Sequence, residues 1–159
     1  MSITLKNIKI SEFMSEETIC FSASVYENGV RVGEAKNEGR GGETYIYVAS
    51  TNFIGFIEMD TLIEKVDELL YAYYNKKETE KFEKKIASDS NTGVCYGTIE
   101  KNTATYNVRS FKVKRPLSYI VTLKGGLDAV QSLVNDVKAN LKAGEAILNK
   151  NLKSLGIKI

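Results

Sequence analysis

Apolar and polar residues alternate from the beginning of the chain. Ile3 and Leu5, then Ile8 and Ile10, fit one strand with a slip near Asn7, and Ile19, Phe21, Ala23 and Val25 alternate with Cys20, Ser22, Ser24 and Tyr26. Period-two alternation places one such set on a buried sheet face. Asn28-Gly29 follows directly. Both residues tolerate the positive φ of a type I′ turn, so the pair predicts a hairpin returning from Val30 to about Lys36. A loop, Asn37–Glu43, and a strand from Thr44 to Ala49 come next.

The period then changes. Leu62, Ile63, Val66, Leu69, Leu70, Tyr73 and Tyr74 recur at spacings of three and four, which predicts an amphipathic helix continuing past Phe82 to Ile86. Thr61 with Glu64 reads as its capping box. Ser88–Gly93 is a loop by composition, followed by strands over Val94–Ile99 and Thr103–Val113 with a turn near Lys101-Asn102. Pro116 breaks that pattern, and Leu117, Tyr119, Val121 and Leu123 alternate as a further strand. Gly125-Gly126 opens a helix whose Leu127, Val130, Leu133, Val134, Val137 and Leu141 share a face, with Gly144 placed to cap it. Glu145–Leu155, stopped by Gly156, reads as a short terminal helix.

These elements predict an α+β fold with antiparallel sheet regions, a long central amphipathic helix and a C-terminal helix. The expected organisation is a single domain over 1–159: β-rich 1–56, helix 60–87, β-rich 94–123 and helical 126–156. No linker or repeat divides the sequence, so the two sheet regions are expected to share a core. A surplus of apolar and tyrosine positions on two helices and an edge strand points to a homo-oligomer.

Composition narrows the chemistry. With 43% hydrophobic and 26% charged residues the chain is globular, and a net charge of +2 argues against a surface built for duplex nucleic acid. There is no histidine, which removes the commonest general base and zinc ligand. Cys20 and Cys95 lie in strand patterns and read as reduced, buried thiols. The N-terminal alternation is unlike a signal peptide, and no apolar run is long enough for a membrane span, so the expected location is the cytoplasm. No catalytic constellation, metal site or cofactor is implied; a partial calcium-loop spacing at Asp89, Asn91 and Gly93 places glycine at the wrong position. The expectation is a non-catalytic binding protein.

Two segments carry usable binding chemistry. In the loop, Asn37, Gly39, Arg40, Gly41 and Gly42 combine a permissive backbone with a guanidinium, a pattern suited to an anion but also to a plain connector between strands. In Arg109–Arg115, a strand would place Lys112 and Lys114 opposite Phe111 and Val113. Arg109, Lys112 and Arg115 beside Tyr106 would then suit a phosphate backbone, or simply protect a sheet edge.

The hairpin at Glu27-Asn28-Gly29 and the following Asn37-Glu38-Gly39-Arg40-Gly41-Gly42 resemble small uncharacterised proteins of tailed bacteriophages, whose loop reads Asn-acidic-Gly-x-Gly-Gly. The resemblance covers roughly the first fifty residues. It implies an accessory role in the host cytoplasm, in host takeover or counter-defence. Two readings follow: a protein that sequesters a phosphate-bearing nucleotide, or a protein–protein inhibitor or assembly factor acting on a host or phage protein.

Overall fold

The computed structural model describes residues 2–49, 59–100 and 103–159. It is α+β, with two antiparallel sheets, a long helix and a C-terminal helix. The chain divides into two units, Met1–Tyr74 and Asn75–Ile159, with the boundary inside the long helix α1 (Met59–Asp89). Two clusters of buried apolar side chains are found among the described residues, one in each unit.

The first unit is a four-stranded sheet in the order β1 (Ile3–Ile10), β2 (Phe21–Glu27), β3 (Val30–Asn37), β4 (Tyr45–Val48). Alternation decides its faces. Phe21, Ala23, Val25 and Ala35 point to the side where Leu62, Val66 and Leu70 of α1 pack, four residues apart on one helical stripe. Asn28 and Gly29 both have positive φ, 48° and 86°, so the predicted hairpin turn is present. The slip near Asn7 is a β-bulge: pairing jumps from Lys6–Ser24 to Lys9–Ser22, and Asn7 takes a φ of 53°. The helix begins earlier than the capping box suggests. Met59 and Asp60 are already helical, so Thr61 is an interior position and not the cap.

The second unit has a three-stranded sheet in the order β6 (Thr103–Ser110), β5 (Gly93–Glu100), β7 (Ala146–Ile147). Two helices, α2 (Leu117–Ile120) and α3 (Gly126–Ala139), contribute Leu117, Val130, Val134 and Val137 to a core with Val94, Leu152 and Ile157. The turn expected at Lys101-Asn102 lies outside the described residues.

Three expectations for this unit are corrected. Residues 117–123 form a helical turn and not a strand: Pro116 is fixed at φ −56°, and its carbonyl accepts from the amides of Tyr119 and Ile120. Leu117, Ile120 and Val121, spaced three and four apart, then face the core, whereas Tyr119 and Leu123 are exposed. Gly144 is left-handed but does not cap α3, whose C-cap is Asn140, four residues earlier. The terminal helix is replaced by β7 and a 3₁₀ turn over Lys153–Leu155, stopped as expected by left-handed Gly156.

The reason is Asn149, buried behind β5. Its Oδ1 accepts from the Cys95 amide at 2.6 Å, and its Nδ2 donates to the Gly93 carbonyl at 3.0 Å. Satisfying those buried groups holds the segment extended.

Candidate functional site

The glycine loop is built around one carboxamide. Asn37 is 6% exposed; its Oδ1 accepts from the Gly39 amide (2.8 Å) and the Thr18 hydroxyl (2.9 Å), and its Nδ2 donates to the Gly42 carbonyl (2.9 Å). The Gly39 carbonyl accepts from the amides of Glu16 (2.9 Å) and Glu17 (3.0 Å). Gly39 has φ 85°, and a Cβ there would collide with the Met14 carbonyl and lie 2.8 Å from Cys20 Cβ, so glycine is required on both grounds. The Gly41 amide donates to Thr18 Oγ1 at 3.3 Å. The amides of Gly39 and Gly41 are therefore already engaged within the protein.

A groove of about 440 Å³ is lined by Lys9, Ile10, Ser11, Met14, Cys20, Phe21, Ser22, Lys36, Asn37, Glu38 and Arg40. The sheet register explains the convergence. Lys9 pairs with Ser22 and Ser22 with Lys36, so two lysines and a hydroxyl stand in one row on the face opposite the core. The Asn7 bulge is what permits it, because strict alternation would send Lys6 and Lys9 to opposite faces. Arg40 comes from the loop at the end of that row. Lys9, Lys36 and Arg40 have no ion-pair partner among the described residues, and Glu38 is the only carboxylate lining the groove. Three cations without an ion-pair partner among the described residues, beside the single carboxylate of Glu38, leave the lining of this hydroxyl-bearing cleft net positive, a balance that suits an anionic group.

Arg109, Lys112 and Arg115 belong to the second unit, and β6 ends at Ser110, so the alternation expected through Lys114 is absent. Arg109 is bound to Asp136 at 2.9 Å. Tyr106 is no stacking platform: its ring lies edge-on to Phe82, with centroids 5.3 Å apart, and its hydroxyl donates to Asp89 at 2.6 Å. Asp89 is thereby occupied, and no group of three His, Cys, Asp or Glu among the described residues is placed to hold a metal. A cavity of about 580 Å³ in the second unit is lined by Phe82, Ile86, Ala87 and Leu148, but its charges are balanced, with Lys150 on Glu83 at 3.2 Å.

Cys95 is fully buried; burial pushes its thiol up, against the opposing bond from Ser90. Cys20, half-buried, opens onto the groove. Sequence reasoning missed Lys9 and Lys36, which become visible only when the polar positions of β1 and β3 are set in register.

No protein-family model matches this chain, and no similar curated protein or solved structure was found. Among the described residues no helix is long and apolar enough to cross a membrane.

Proposed function

We propose that this chain is a non-catalytic binding protein that sequesters a phosphate-bearing nucleotide in the groove bounded by Lys9, Lys36 and Arg40. The observation that supports it is a cleft of about 440 Å³ lined by Lys9, Lys36 and Arg40, none with an ion-pair partner among the described residues, together with Ser11 and Ser22. That volume lies in the range of small-molecule sites. With the loop's resemblance to phage proteins, the role fits counter-defence in a host cytoplasm, removing a nucleotide signal by binding it.

Calorimetry against a panel of cyclic and linear nucleotides tests the reading. A charge-assisted contact is worth about 1.5–3 kcal/mol, so Arg40→Ala should weaken binding roughly ten- to a hundredfold. Bound nucleotide should also slow alkylation of Cys20, which lines the groove, and leave buried Cys95 unreactive with or without ligand. If no nucleotide binds, or if Arg40→Ala binds as tightly as wild type, the loop is only a turn and docking on a protein partner is the better reading.

A further inference from the structure

The groove occupies one end of a larger surface. β1–β4 present one face to α1, and the other carries three rows of paired residues: Lys9–Ser22–Lys36–Tyr45, Lys6–Ser24–Glu34–Tyr47 and Thr4–Tyr26–Arg31. Directly paired residues share a face, so all of these side chains project away from the core. Tyr45 and Tyr47 are 60% and 64% exposed, an unusual state for two neighbouring aromatic side chains. Being two residues apart on one strand, they stand about 6.8 Å apart. Each row of four spans about 14 Å across the strands. Lys6 lies over the Tyr26 ring at 4.4 Å, and Arg31 extends the positive edge. In these rows Glu34 is the one acidic residue, against Lys6, Lys9, Arg31 and Lys36.

We infer that this open sheet face binds single-stranded nucleic acid, with the phosphate backbone along the lysine rows and two successive bases on Tyr45 and Tyr47. The inference rests on the reading of the groove as a phosphate site, and it names the ligand class as a strand rather than a free nucleotide. Cations that track a backbone beside aromatic platforms are what sequence-tolerant binding of single strands requires. Charge complementarity selects a polyanion, and the two exposed rings select unstacked bases. A duplex hides its base faces and would gain only the small electrostatic part. Nothing in the rows reads the sugar, so RNA and DNA strands are bound alike.

Fluorescence anisotropy with labelled oligouridylate and oligothymidylate, beside a duplex of equal length, tests this. Wild type should bind both single strands more tightly than it binds a mononucleotide or the duplex. Tyr45→Ala and Tyr47→Ala should each weaken strand binding about tenfold, with unchanged circular dichroism because both rings are exposed. Mononucleotide binding in the groove should be untouched by either. Lys36→Gln should lower the slope of log affinity against log salt by about 0.7, the value for one phosphate contact on a single strand. Glu34→Gln should tighten binding roughly two- to fivefold by removing a repulsive charge.

If mononucleotides bind but strands gain nothing, or the tyrosine variants bind strands normally, the inference falls and the groove reading stands. If neither mononucleotide nor strand binds, both fall. Equal binding of the duplex overturns it, as does a dimer in light scattering that dissociates on Tyr45→Ala or Tyr47→Ala.

Discussion

Tyr106 looks, on the sequence, like a partner for the basic run that follows it. The structure turns its ring onto Phe82 and its hydroxyl onto the Asp89 carboxylate. Burial first, then the hydrogen bond and charge of Asp89, push the phenol from its ordinary value near 10 up to about 12. An acid that folding holds protonated contributes stability that is complete below the unfolded pKa near 10 and is lost as pH rises through about 12. Wild type should therefore lose stability across that window, and Tyr106→Phe should lose less of it. Denaturant midpoints for the two proteins on either side of the window measure the difference; parallel curves would show that the Tyr106 phenol contributes nothing to the pH dependence. The residue type was legible and its role was not, because nothing local says that Asp89, at the end of a helix, will face a ring on β6. Arg109 repeats the lesson with Asp136.

Elements set by local chemistry were readable, and elements set by distant partners were not. The Asn28-Gly29 hairpin and α3 follow from turn residues and an unbroken apolar period. Residues 117–123 carry two periods at once: Leu117 and Val121 satisfy alternation, while Leu117, Ile120 and Val121 satisfy the helix, and proline decides between them. β7 has two residues and exists because β5 and Asn149 are there to receive it. The glycine loop reads from sequence as an anion site or a plain connector, with Asn37 among its residues, but the part Asn37 plays in holding the loop shows only in three dimensions. Asn37→Ala would leave the Gly39 amide, the Thr18 hydroxyl and the Gly42 carbonyl without their partner. The Gly39 amide is the buried one of the three, and leaving a buried donor unsatisfied costs about 1–3 kcal/mol, so the variant should be destabilised by that amount. With the loop released, Cys20 should alkylate faster than in wild type. Unchanged stability together with an unchanged Cys20 rate would mean that the loop holds its shape without Asn37.

At the scale of the whole molecule, sequence predicted the α+β class and the antiparallel pairing, but only part of the surface on which the proposed binding rests. Of the residues the proposals use, Arg40 is legible in its loop, whereas Lys9, Lys36, Tyr45 and Tyr47 are not, because exposed polar and aromatic positions have no period of their own and acquire meaning from register. The expected homo-oligomer adds a last measurable consequence. Tyr119, Leu123 and Leu127 are roughly half exposed along α2 and the first turn of α3, and apolar groups in that state gain by covering one another. A twofold pairing through these helices would be self-complementary. Light scattering at micromolar concentration should then give twice the chain mass of 17.7 kDa. Leu123→Lys with Leu127→Lys should return it to 17.7 kDa without loss of nucleotide binding, because neither residue lines the groove. A wild-type mass of 17.7 kDa across that range would remove the oligomer and leave the sheet face to act within a single chain.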